Sequence, residues 1–185
     1  MMIDLTCLPL HLDTDTRVCR AVIETPKGSR IKFRYDPQAR SFMLGRVLPE
    51  GMVFPFDFGF LPSTLGEDGD PLDIMVMLEA PAPMGCLIEV RILGIIVATQ
   101  TENGVSRRND RLLGVAVHSH AHGHLKTVKE LSSTLLSQIE EFFVSYNKQR
   151  KRTFQIKEVG GPNTAIKLLN VGSRSFKKTQ KEKGH

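Results

Sequence analysis

The sequence predicts a single α+β domain in which a small β-barrel or sandwich precedes two helices. Two observations carry that prediction. Short runs rich in β-branched and aromatic residues, separated by Gly and Pro, fill the first two-thirds of the chain. After the histidines of "HSHAHGH" (118–124), the apolar spacing changes from two residues to three and four.

The strands come first. "RVCRAVIE" (17–24) and "SRIKFRYD" (29–36) flank a turn at Pro26 and Gly28, and are expected to pair as a hairpin. In the second, Ile31, Phe33 and Tyr35 alternate with Lys32, Arg34 and Asp36, which gives one apolar and one charged face. "RSFMLGRVL" (40–48) and "DIMVMLEA" (73–80) follow. "CLIEVRILGIIVAT" (86–99) is long and expected to bend at Gly94, and "RLLGVAV" (111–117) closes the series.

Then the pattern turns helical. Val128, Leu131, Leu135, Leu136, Ile139, Phe142, Phe143 and Tyr146 predict an amphipathic helix from Val128 to Gln149. A second helix begins at Pro162 or Asn163 and uses Ala165, Leu168 and Leu169. With no internal repeat and no linker, residues 1–172 are expected to form one domain and 173–185 a basic tail.

Composition narrows the class. Hydrophobic residues are 41% and charged residues 24% of the 185, which fits a soluble folded protein rather than a disordered one. No apolar run approaches the roughly 20 residues a membrane helix needs. The first residues, "MMIDLTCLPLHLDTDTRV", lack the basic head of a signal peptide. Cys7, Cys19 and Cys86 are odd in number and show no ligand spacing, which suits a cytoplasmic protein. Most of the net charge of +5 sits in the tail, where Arg174, Lys177, Lys178, Lys181 and Lys183 face only Glu182. That tail is expected to be solvated or frayed, and its single aromatic, Phe176, argues against nucleic acid as a partner.

The stretch carrying chemistry is "LGEDGDPLDIMVML" (65–78), with Asp68, Asp70 and Asp73 within six positions at the mouth of a strand. Clustered carboxylates raise one another's pKa unless solvent or a cation relieves them. Two readings stand: a solvated turn, or a site for a hard cation such as magnesium, manganese or calcium. A calcium EF-hand is excluded. Counting from Asp68, its sixth position is Asp73 where Gly is needed, and no helix flanks the loop. Pro71 stiffens the turn. Basic residues suited to phosphate oxygens accompany it: Lys32, Arg34, Arg46, Arg111, Lys148, Arg150, Lys151 and Arg152.

"EDGDPLDIMVM" closely resembles the D-x-D-P-x-D signature of the soluble family I inorganic pyrophosphatases. "VIETPKGSRIKFRYD", "GRVLPEGMVFPFDFGFLPSTL" and "QIEEFFVSYNKQRKRTFQIKEVGGPNTA" are similar to other stretches of that family, so the resemblance spans residues 17 to 172. It implies a small, highly twisted OB-like β-barrel flanked by helices. It also implies Mg²⁺-dependent hydrolysis of pyrophosphate to two phosphates, with Mn²⁺ or another divalent cation as a substitute. Asp68, Asp70 and Asp73 are implied as metal ligands, with Asp70 also accepting the proton of the attacking water. Lys32, Arg46 and Tyr146 are implied to bind phosphate, with Glu24 supporting the cluster. Homo-oligomers, commonly bacterial hexamers, are implied too.

The departures from the family concern the site. Arg34 stands where a glutamate is usual, and Phe54 and Phe58 stand where two tyrosines are usual. The further metal-binding aspartates align within "TQTENGVSRRNDRLLGV" with Thr101 or Glu102 and with Asn109 or Asp110, and Arg111 replaces a lysine. After Tyr146 the expected lysine is Asn147, with Lys148 next. Glu102 and Asp110 are therefore candidate metal ligands, and Lys148 and Arg34 candidate phosphate ligands. The alternatives to an active enzyme are a catalytically impaired phosphate-binding relative and an OB-like nucleic-acid or interaction module. His118, His120, His122 and His124 alternate as a zinc or nickel site does, but Gly123 and the lack of nearby Cys favour an exposed loop.

Overall fold

Among residues 3–183, which the computed structural model describes, nine strands and two α-helices form. Five strands close on themselves. β1 (Val18–Thr25) pairs antiparallel with β4 (Asp57–Phe60), and β4 with β5 (Asp73–Met77). β5 runs parallel to β8 (Arg111–Ala116), β8 pairs with β6 (Leu87–Glu102), and β6 returns to β1. This ring is the expected OB-like barrel.

β6 is 16 residues long and extends beyond the ring to carry β7 (Val105–Arg108) and β9 (Thr153–Gly160). Its bend comes at Gly94, where the register against β8 shifts. A Cβ there would lie 2.5 Å from Gly160 O, so glycine is what lets β9 approach.

The first hairpin is a correction. β2 (Ile31–Asp36) pairs not with β1 but with β3 (Ser41–Val47), as a separate two-stranded sheet. Both edges of β1 are already taken by β4 and β6. Side chains of β1 bind β2 instead: Glu24 Oε1 accepts Tyr35 N–H at 2.7 Å, and Thr25 Oγ1 accepts Phe33 N–H at 3.1 Å. The Pro26–Gly28 turn is thus a corner between sheets.

β5 is buried on both faces. Met75 and Met77 enter a core with Leu93, Ile139 and Phe143, beneath α1 (Ser133–Lys148). Ile74 and Val76 enter a second core with Ile92, Ala165 and Leu169, beneath α2 (Pro162–Lys183). α1 starts later than its apolar period suggests, because Val128–Glu130 makes a separate 3-10 turn. Ser132 caps it, with Oγ accepting Leu135 N–H at 3.2 Å.

α2 begins on Pro162, whose missing N–H costs nothing in a first turn, and runs unbroken to Lys183. Residues 173–183 are therefore helical rather than frayed, while Gly184 and His185 lie outside the described residues. Among the described residues no helix is long and apolar enough to cross a membrane.

Candidate active site

The acidic turn is held by its own polar groups. Gly66 N–H donates to Asp70 O at 2.8 Å, and Asp70 N–H to Asp68 Oδ1 at 3.2 Å. Gly69, at φ +88°, reverses the chain between the two aspartates in a conformation that favours glycine. Leu72 N–H then donates to the buried Thr64 Oγ1 at 3.0 Å, and Asp73 opens β5. All three carboxylates line a cleft of about 640 Å³ at the barrel mouth.

Opposite them stand cations from β2. Lys32 Nζ lies 4.0 Å from Glu24 Oε2 and 4.2 Å from the centre of the Phe58 ring, whose face attracts it. Burial pushes the Asp70 carboxyl above the ordinary aspartate range. Asp68 and Asp73 push it further, and Lys32 and Arg34 pull it back. Glu24 is raised chiefly by burial, against Lys32 and the Tyr35 N–H.

Asp73 has a cation of its own: Arg111 Nη1 lies 2.6 Å from its Oδ2. Arg111 is buried with its guanidinium 5.9, 5.8 and 5.8 Å from the rings of Phe58, Phe143 and Phe154, and it also donates to Asn109 Oδ1.

Of the residues singled out by sequence, Glu24, Lys32, Arg34, Asp68, Asp70, Asp73, Glu102 and Tyr146 line the cleft. Glu102 is engaged by Arg152, with Oε2 at 2.6 Å from Nη2. Arg46 sits opposite Lys32 in the β2–β3 ladder, close enough to Arg150 to lower its pKa, but does not line the cleft. Lys148 is exposed outside it. Asp110 does not line this cleft but a smaller adjoining pocket with Asp68 and Asp73, its Oδ1 accepting Ala98 N–H at 3.1 Å and its Oδ2 2.6 Å from Arg108 Nε.

Of the two positions offered by sequence, Asn109 rather than Asp110 lines the cleft, and its partner there, Gln100, is one the sequence does not single out. Asn109 Nδ2 donates to Gln100 Oε1 at 3.0 Å, an amide pair inside the cleft. The histidines lie in a turn segment after β8. Among the described residues, no three Asp, Glu, His or Cys side chains are gathered closely enough to hold a metal ion. The donor chemistry still suits a hard cation, since three carboxylates line one cleft and the middle one is raised by burial and then by the other two.

A family model described as inorganic pyrophosphatase matches residues 21–177. The chain belongs to the inorganic pyrophosphatase family. It is 35% identical over 145 residues to the inorganic pyrophosphatase of Thermus thermophilus, covering 78% of this chain and 80% of that one. It is 34% identical over 161 residues to that of Nanoarchaeum equitans, covering 85% and 97%. Solved pyrophosphatases from Thermus thermophilus and Neisseria gonorrhoeae superpose with TM-scores of 0.85 at 28% identity. They cover 95% and 94% of this chain and 99% of their own.

Within this pyrophosphatase fold the departures have physical consequences. Phe54 and Phe58 are buried in the core beneath α1 and offer rings where hydroxyls are usual. Asn147 is fully buried and donates to Phe143 O at 2.9 Å, so it contributes no charge to the cleft.

Proposed function

We propose that this chain hydrolyses inorganic pyrophosphate to two phosphates, with Mg²⁺ as its cation and Mn²⁺ or another divalent ion able to replace it. The observation that carries this reading is the complete aspartate turn facing Lys32 and Tyr146 across one cleft. Lys32 and Tyr146 hold phosphate oxygens, with Arg34 adding charge on the same strand as Lys32 and Arg46 adding it from outside the cleft lining. Glu24 orients Lys32. Asp68, Asp70 and Asp73 hold the cation, which when bound supplies Lewis acidity to the reaction.

Asp70 accepts the proton of the attacking water. Its carboxylate lines the cleft with Lys32 and Tyr146, where a general base must stand to reach the water. Glu102 and Asp110 remain with Arg152 and Arg108 in this reading, and Lys148 stays in solvent. The protein acts in the cytoplasm, which the odd count of three cysteines, Cys7, Cys19 and Cys86, supports. Self-association is supported by exposed Met43, Leu44 and Val47 on the β2–β3 sheet.

A second reading, strong binding with impaired turnover, is favoured by the Gln100–Asn109 amide pair and by Arg111 occupying Asp73. Phosphate release from pyrophosphate and Mg²⁺ by the purified protein decides between them. Steady turnover supports the first, and Mg²⁺-dependent binding without release supports the second.

A further inference from the structure

Beyond Tyr146 the cleft carries positive charge that the diphosphatase reading leaves unused. After α1 the chain turns on Asn147, whose carbonyl accepts the N–H groups of Arg150 at 2.8 Å and Arg152 at 3.1 Å. Lys151, between them, adopts φ +56°. The turn sends Arg150 and Arg152 into the cleft wall and leaves Lys151 exposed. The Arg150 guanidinium lies 5.7 Å from the Tyr146 ring, one helical turn earlier. Arg107 reaches the same cleft from β7.

These groups repel one another and are incompletely satisfied. The Nε atoms of Arg150 and Arg152 are buried without a hydrogen-bond partner. Glu102 neutralises Arg152 only in part, as a single carboxylate among three guanidinium groups. Burial lowers the proton affinity of Arg150, and Arg152 and Arg46 lower it further, against the pull of Tyr146 and Glu102. Guanidinium groups so placed gain most from a planar or tetrahedral oxyanion, which accepts several N–H donors at once.

We propose that Arg107, Arg150 and Arg152 form a subsite for an additional phosphate, so that the cleft binds linear triphosphates as well as pyrophosphate. The proposal rests on the diphosphatase reading for the position of the first two phosphates. The volume of about 640 Å³ is in the range of about 300–1,000 Å³ typical of pockets for drug-sized ligands, which accommodates a longer chain. Inorganic tripolyphosphate and the triphosphate of a nucleotide share this chemistry.

Isothermal titration calorimetry in Mg²⁺ on the Asp70→Asn protein, whose turnover is slowed, with pyrophosphate, tripolyphosphate and ATP as separate titrants, tests the subsite with the cation in place. That protein should bind tripolyphosphate at least about 10-fold more tightly than pyrophosphate, the scale of one charge-assisted hydrogen bond. Arg150→Gln with Arg152→Gln in the same background should abolish that advantage and leave pyrophosphate affinity within about threefold. Arg150→Gln alone spares the Arg152–Glu102 pair, and carries the test if the double variant unfolds. A gain shared by ATP assigns a nucleotide source as well, and a gain confined to tripolyphosphate assigns the inorganic chain; either supports the subsite. Equal affinity for the two inorganic ligands, or equal loss of both in the variants, overturns it. The diphosphatase reading is judged separately, by Mg²⁺-dependent phosphate release from pyrophosphate by the wild type.

Discussion

Asn109 Nδ2 donates to Gln100 Oε1 at 3.0 Å, so two neutral amides meet in the stretch where this family is expected to place further metal-binding carboxylates. A neutral pair lowers the negative charge available to a divalent ion. Asn109→Asp restores one carboxylate and keeps the acceptor that Arg111 uses. Gln100 can rotate its amide to donate to the new oxygen. The expected outcome is a Mg²⁺ concentration for half-maximal rate lowered by about 10-fold, the size of other changes around metal ligands. Magnesium titration of the initial rate checks it.

Arg111 competes with any cation for Asp73, from 2.6 Å away. Arg111→Gln should free that carboxylate and lower the magnesium requirement. It should also destabilise the protein by about 2 kcal/mol, less than the about 3–5 kcal/mol for breaking a fully buried pair, because Asp73 is partly solvated. Urea unfolding and magnesium titration of the same variant measure the two effects together.

The raised pKa of Glu24 predicts a pH dependence of stability. Burial makes the folded state hold this proton more tightly than the unfolded chain, whose glutamate titrates near about 4.3. The folded state thus binds more protons through that window, and stability falls as pH rises from the unfolded value through the folded one. Glu24→Gln keeps an acceptor for Tyr35 N–H and removes the titration. Denaturant unfolding from pH 4 to 7 should show a shallower decline for Glu24→Gln than for the wild type.

Much of this fold is legible in the sequence because its signals are local. The alternation in "SRIKFRYD", the apolar run after the aspartates and the α1 periodicity each mark an element that forms. The elements left unread have weaker patterns. β7 is exposed along its whole length, so it carries no apolar period. Its one signal is Asn103–Gly104, both at positive φ in a two-residue hairpin turn. β9 changes phase at a bulge opposite Val97 and Ala98, which breaks the alternation of Phe154 and Ile156 with Val159. β4 is four residues long with Gly59 at its centre, where a Cβ would lie 1.9 Å from Val22 O.

The site divides along the same line. Asp68 and Asp70 belong to one rigid turn and Asp73 opens the strand it leads into, so their lining of one cleft follows from spacing alone. Asn109 and Asp110 are adjacent in extended chain and point to opposite sides, so which of them enters the cleft depends on the pairing of β6 and β8. The cleft receives the amide, and the carboxylate goes to Arg108 and Ala98 N–H. Glu102 reaches the cleft wall, but its Arg152 partner lies fifty positions on. No local pattern encodes such a pair.

The proton acceptor is tested most directly at Asp70. Asp70→Asn preserves the shape of the turn and its backbone N–H to Asp68, but cannot take a proton at neutral pH. The protein should fold, since removing one charge relieves repulsion from Asp68 and Asp73. The measurement is kcat for phosphate release from pyrophosphate at saturating Mg²⁺, beside the wild type, with circular dichroism to confirm folding. A fall of about 10²–10⁴-fold is the predicted result. A folded Asp70→Asn protein with kcat near that of the wild type would contradict the assignment of Asp70 as the base.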